Sequence, residues 1–256
     1  MNRRAWLAGL GASAIGTFLA GCDKVTQGAK VVGGLSAAEP VNKAVQRLFI
    51  GRKAMAREFS KADISKDFRP NGSIGPGDPD YREHLLAGWA DYKLIIDGLV
   101  EQPLALSLAD LKAGPSRTQI TRHDCVEGWS SIGEWSGARL GPLLERAKLK
   151  PNARFLVFHC FDTLEAGAKD RYEGKYYESI DLDDAFHPQT ILAYGMNGGP
   201  LPVKHGAPLR LRVERQLGYK QAKYIRRIEA VESFDHIALG KGGFWEDRGY
   251  EWYAGI

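Results

Sequence analysis

Cys125 stands in the stretch TRHDCVEGWSSIGEW, Thr121 to Trp135, with His123 and Asp124 before it and Glu127 and Trp129 after it. It is one of three cysteines in 256 residues. As a thiolate it would be a soft metal donor. A lone cysteine is just as often a small buried hydrophobe, and at this point both readings stand. Glu127 lies two residues beyond it. If the segment is extended, the two side chains share a face, which would turn Glu127 toward whatever Cys125 holds. Its alternatives are a surface carboxylate or a partner for Arg122 or Arg139.

A second chemical signal lies between Lys204 and Arg227, where eight Lys or Arg stand against one acid, Glu214. Gly206, Gly218 and prolines place turns inside it. A basic, glycine-punctuated segment can hold a phosphate through Arg forks and backbone N–H groups. It could equally be a solvated face or a nucleic-acid patch. The chain's net charge of +4 decides nothing by itself.

The other cysteines narrow the choices. Cys160 sits in ARFLVFHC, a nearly unbroken apolar run that reads as a buried strand, so it is expected in the core. No CxxC and no paired His–Cys set supports a structural zinc site. One disulfide, Cys125 to Cys160, is possible in an oxidising compartment.

The elements around these residues are mixed. A helix is expected over about 41–60, where Ala44, Val45, Leu48 and Phe49 fall at helical spacing. RPNGSIGPGDPD (69–80) is a loop by composition. YKLIIDGLV reads as a strand with an Asp-Gly turn, Ser107 as the N-cap of a short helix, and RTQITRH as the strand leading to Cys125. A helix falls near 141–147. PLRLRV alternates, with Leu209, Leu211 and Val213 on one face and Arg210 and Arg212 on the other, and KYIRRIEAVESF is a further strand. With 44% apolar and 26% charged residues, this is an ordinary globular composition. The pattern is α+β, with one domain over 67–256.

The first 21 residues read as a leader. Arg3-Arg4 precede a weakly apolar run, a twin-arginine-like signal, and Leu19-Ala20-Gly21-Cys22 resembles a bacterial lipobox with Cys22 as the lipidated residue. The alternative is an uncleaved anchor helix. Removal of 1–21 takes away Arg3 and Arg4 and no acid, so the charge falls from +4 to +2. Residues 22–66 are then tether and helix, and an exported, inner-membrane-anchored periplasmic protein has no use for nucleic acid. Asp23 after the lipid site resembles an inner-membrane retention signal.

Three segments in order, YKLIIDGLVEQPLALSLADL, the Cys125 segment through Ala147, and LAYGMNGGPLPVKHGAPLRLRVERQLGYKQAKYIRRIE, resemble the sulfite oxidase family of molybdenum enzymes over about residues 67–253. The resemblance implies a mixed-sheet α+β domain with short helices around one molybdopterin, a single pterin carrying molybdenum, and no C-terminal immunoglobulin-like domain. It makes Cys125 the molybdenum ligand. It assigns His205 and Arg210 to the pterin and its phosphate, Gln221, Ala222 and Lys223 to the loop closing on the phosphate, Thr163 to a pterin contact, and Asn71 to the cofactor entrance.

Cys125-Val126-Glu127-Gly128-Trp129-Ser130 is closer to the periplasmic protein-methionine-sulfoxide reductases of that family than to its sulfite oxidisers, whose cysteine is typically followed by Ala-Gly-Asn. The implied reaction is removal of an oxygen atom from an S-oxide or N-oxide, small or protein-bound. The implied electron partner is a membrane haem protein of cytochrome b type, and the enzyme is expected to be a monomer. An ionised Glu127 about 6 Å from a bound anion, at an effective dielectric of about 20, would oppose each unit of its charge by roughly 3 kcal/mol. A neutral oxide escapes that repulsion, and Glu127 could relay a proton as a catalytic residue. The alternatives are a sulfite dehydrogenase and a lipoprotein that keeps the fold as a non-catalytic binding module.

Overall fold

The computed structural model describes residues 39–51, 53–169 and 172–256. The leader, Arg3, Arg4, Asp23 and Cys22 lie outside the described residues. The chain divides into two units, Met1–Ile50 and Gly51–Ile256. The first contributes one described element, helix α1 (Glu39–Ile50). The helix expected over 41–60 therefore stops before Gly51. No helix among the described residues is long and apolar enough to cross a membrane.

The larger unit begins earlier than the expected boundary at 67. Residues 51–66 belong to it: Phe59 N–H donates to Ile120 O at 2.9 Å, Glu58 bridges Thr121, and Ser65 Oγ accepts from Ile132 N–H. In chain order its elements are α2 (Pro79–Leu86), β1 (Lys93–Gly98), β2 (Leu104–Ser107), α3 (Leu108–Ala113), β3 (Ser116–Cys125) and β4 (Trp129–Arg139). Then come α4 (Leu140–Ala147), β5 (Phe155–Thr163), β6 (Lys175–Asp181), α5 (Leu182–Ala185), β7 (Ile191–Met196), β8 (Gly199–Pro200), β9 (Arg210–Arg212) and β10 (Ile225–Val231).

Two sheets result. One has the order β2-β1-β10-β5-β6, with only the β1–β10 pair parallel. The other runs β3-β4-β7-β8, with β9 added to β7. Strand β5 lies between β10 and β6 and is buried on both faces, which explains its unbroken apolar run. Cys160 is in that core, and both Cys125 and Cys160 are free thiols.

The helices follow from local chemistry. Helix α3 starts at a capping box: Ser107 Oγ accepts from Asp110 N–H, and the Asp110 carboxylate accepts from Ser107 N–H at 2.9 Å. Helix α4 buries Leu140, Leu143, Leu144 and Ala147, a stripe at i, i+3, i+4 and i+7.

Strand β9 departs from its expected alternation. Leu209, Leu211 and Val213 are in the core, but Arg210 and Arg212 are fully buried too. Their guanidinium groups lie 4.9 and 4.4 Å from the ring of Trp135, a buried residue of β4. The polar face of this strand looks into the protein.

Candidate cofactor and active site

The β3–β4 hairpin presents Cys125. Its register pairs Cys125 with Trp129, leaving Val126-Glu127-Gly128 as the loop. Gly128 has φ +85°, and its N–H donates to Cys125 O at 3.0 Å. A side chain at that φ is strained, so glycine suits the position. The loop is thus a tight turn, and the extended geometry assumed for Glu127 is not what brings it to the site. Burial, the largest effect, raises the Cys125 thiol above its ordinary pKa, while the backbone N–H groups of Glu127 and Val126 donate to the sulfur and favour thiolate. A bound cation would complete that deprotonation.

Glu127 nevertheless faces the same cavity as Cys125. Its carboxylate accepts from Trp129 Nε1 at 2.9 Å and lies 3.8 Å from Arg69 Nη2. The alternative partners, Arg122 and Arg139, are not the ones found; Arg122 pairs with Asp124. Arg69, which also sits over the Trp129 ring at 5.8 Å, offsets the charge of Glu127. With its side chain 49% exposed, Glu127 repels an anion less than a bare carboxylate would.

The cavity measures about 210 Å³. Asn71–Ser73 form one wall, and the Cys125–Glu127 turn another. The rest comes from Asp162 and Leu164 at the end of β5, Tyr176 on β6, Tyr219, Gln221 and Lys223 of the basic segment, and Trp245 and Tyr250 near the end of the chain.

The basic segment is largely interior rather than a solvated face, and its cations sort into two groups. Arg212 forks onto Glu214 and also donates to His123 Nδ1 at 3.0 Å. Lys220 is held by Glu178 and Glu246, and Arg215 pairs with Asp184. Arg210 and Lys223 are buried with no carboxylate in ion-pair contact among the described residues. Arg210 gives only Nη1 to His205 O at 3.1 Å, while its Nε and Nη2 have no partner. Burial, and then repulsion from Arg212, lower its pKa to about 9. Lys223 donates to the carbonyls of Asn71, at 2.6 Å, and Ser73. Burial is again the main cause of its pKa falling, with Arg210 next. Gly206, at φ +112°, lets the two approach: a Cβ there would sit 2.9 Å from Lys223 Cβ and 3.2 Å from Arg210 Cβ.

Around this pair are further buried polar atoms with no partner among the described residues: Asn71 Oδ1, Asp162 Oδ1 and His205 Nδ1. Native interiors leave few such atoms. Donors and acceptors gathered beside two buried cations that lack a direct ion-pair partner among the described residues fit a large polar group ending in phosphate. Burial holds His205 neutral, with its pKa lowered to about 4. His123 is likewise kept neutral by burial, with Arg212 and Arg210 adding to the effect.

Of the residues anticipated for the site, Asn71, Cys125, Glu127, Gln221 and Lys223 line the cavity. His205, Arg210 and Ala222 are buried without lining it, and the Ala222 methyl belongs to the core. Thr163 is not brought there. It is exposed as the last residue of β5, where the strand, buried on both faces up to Asp162, leaves the core. Arg69, Ser73, Asp162, Tyr176, Tyr219, Trp245 and Tyr250 were not anticipated. Asp162 had a visible signal, an acid ending an apolar strand. Arg69 had none, since its partner lies far along the chain.

A thiol at a hairpin turn, facing a cavity lined from both sheets beside buried polar atoms without partners, fits a cofactor-dependent redox domain. Residues 82–236 match the family model described as oxidoreductase molybdopterin binding domain. The chain belongs to that family, the sulfite oxidase family its motifs resemble, and it is an oxidoreductase whose cofactor is a molybdenum–pterin. It is 35% identical over 239 residues to a protein of Azospira oryzae provisionally named protein-methionine-sulfoxide reductase subunit YedZ1, covering 93% of this chain and 82% of that one. It is 38% identical over 147 residues to the protein-methionine-sulfoxide reductase catalytic subunit MsrP of Xanthomonas axonopodis pv. citri, covering 56% of this chain and 46% of that one. The chain thus spans a little under half the length of that second relative. Among solved structures, the sulfane dehydrogenase SoxCD of Paracoccus pantotrophus is similar with a TM-score of 0.49 and 26% identity, over 58% of this chain and 39% of that one.

Proposed function

We propose that the protein removes an oxygen atom from neutral S-oxides of the methionine-sulfoxide kind, or from N-oxides, with one pterin carrying the molybdenum. The observation that carries this is the charge of the cavity. Its only cationic lining residue among those described is Lys223, against Glu127 and Asp162. Such a cavity suits a neutral oxide better than the sulfite dianion. The names of the two relatives point the same way.

The chain's own residues divide the work. Cys125 supplies the thiolate, with the Val126 and Glu127 N–H groups donating to it. Arg210 and Lys223 would take the phosphate, and Asn71, His205 and Gln221 the polar edges of the pterin. Trp129 and Arg69 fix Glu127 at the mouth, where its offset charge lets a neutral substrate pass. When bound, the molybdenum–pterin supplies the two-electron exchange of an oxygen atom, and two electrons with two protons carry that oxygen away as water.

The leader motifs support twin-arginine export to the periplasm, lipidation at Cys22 and anchoring at the inner membrane, beside a haem-containing donor. Enzyme from a molybdopterin-competent host, given a reduced viologen dye, should reduce methionine sulfoxide and oxidise sulfite poorly. Fast sulfite oxidation without S- or N-oxide reduction would replace this reading with a sulfite dehydrogenase.

A further inference from the structure

The family-matched residues end at 236, yet the cavity that holds Cys125 takes part of its wall from beyond them, Trp245 and Tyr250. These two rings stack, 5.3 Å apart at 28°, and Tyr219 meets Tyr250 edge-on at 5.3 Å. Tyr250 is 39% exposed, which places it at the rim. We propose that this C-terminal aromatic pair is the subsite for the apolar substituent of the substrate, the carbon chain or ring beside the oxidised sulfur, and that it selects organic sulfoxides over small or inorganic oxides. The inference rests on the reductase reading given above.

The wall is built into the fold. Lys220, next to Tyr219, is buried and bonded to both Glu178 on β6 and Glu246, the neighbour of Trp245. Tyr219 Oη donates to Glu251 O at 2.7 Å, and Tyr250 N–H donates to Trp245 O at 3.0 Å. Phe244, edge-on to Trp245, hydrogen-bonds through its N–H to Tyr177 O. A buried charged cluster thus ties the terminal segment to the same loop that carries Gln221 and Lys223. Aromatic faces attract both hydrocarbon and the polarisable sulfur of a thioether. A fixed aromatic wall in the cavity that also holds Cys125 therefore contributes specificity rather than chemistry.

Two neutral substrates with the same S=O group, methyl phenyl sulfoxide and dimethyl sulfoxide, isolate the wall's contribution. In the holoenzyme, Tyr250→Ala and Trp245→Leu should each raise KM for methyl phenyl sulfoxide about tenfold. Values for dimethyl sulfoxide and the molybdenum content should stay unchanged. Equal effects on both substrates, no effect, or loss of molybdenum would overturn the subsite. Saturable quenching of protein fluorescence by methyl phenyl sulfide provides a readout without turnover. Binding in wild type that weakens in the variants supports the wall even if no sulfoxide is reduced, which would sink the reductase reading alone. Turnover of both sulfoxides with unaltered sulfide binding in the variants sinks the wall alone.

Discussion

Arg210 and Arg212 sit two residues apart, equally buried, against the same tryptophan, and they should respond to mutation in opposite ways. Arg212 is paired with Glu214, so Arg212→Met leaves a buried carboxylate without its partner and should cost about 3–5 kcal/mol. Arg210 and Lys223 have no carboxylate in ion-pair contact among the described residues and repel each other. Arg210→Met and Lys223→Met should abolish cofactor retention, yet leave the cofactor-free protein as stable as wild type or more stable by about 1–4 kcal/mol. Urea unfolding and molybdenum content test both halves; loss of stability in Arg210→Met comparable to that in Arg212→Met would contradict the assignment.

A pH dependence follows from Lys223. Its folded pKa is lowered to about 7 from 10.5. Between those values the unfolded chain binds the extra proton, so raising the pH favours the folded state. The stability deficit of cofactor-free wild type relative to Lys223→Met should therefore shrink as pH rises from about 7 toward 10, as measured by urea unfolding at several pH values. A deficit that grows over this range contradicts the lowered pKa.

At the scale of elements, the β3–β4 hairpin and helix α4 have different duties. Gly128 closes the turn after Cys125 at φ +85°. Gly128→Ala should cost about 1 kcal/mol and lower molybdenum retention by moving the thiol. Leu144→Ala, deep in the α4 stripe, should cost about 2–5 kcal/mol but leave the molybdenum content of the folded fraction intact. Elements with strong local signals were legible: the Ser107 cap, the α4 periodicity, the buried run of β5 and the strand leading to Cys125. Helix α1 stops at Ile50, because its apolar spacing ends at Phe49 and Gly51, at φ +80°, leaves the helical conformation. The condition that the Glu127 segment be extended is not met, and Gly128 is recognisable as a turn residue only from the Cys125–Trp129 register. The alternation of β9 was visible, but its arginine face lies inside the protein. Only the packing of Trp135 from another strand decides that.

For the whole molecule, the order of three motifs pointed to the fold and to the residues gathered around Cys125 and Lys223. Long-range encounters were beyond it. Arg69 reaches Glu127, residues 51–66 join β3, and the terminal aromatics close the cavity. Each unites segments whose own sequences carry no mark of the other. Thr163 shows the same limit on a smaller scale, because where β5 leaves the core, one residue after buried Asp162, is set by the neighbouring strands and not by its own sequence.

The central claim is that Cys125 ligates molybdenum in this cavity. X-ray absorption at the molybdenum edge, on wild type and on Cys125→Ser made in a molybdopterin-competent host, tests it most directly. Serine offers a harder oxygen donor in place of the thiolate. The account predicts molybdenum in the wild type with one more sulfur neighbour than in any molybdenum the variant retains. The same sulfur count in both proteins, or wild type purified without molybdenum, would contradict it.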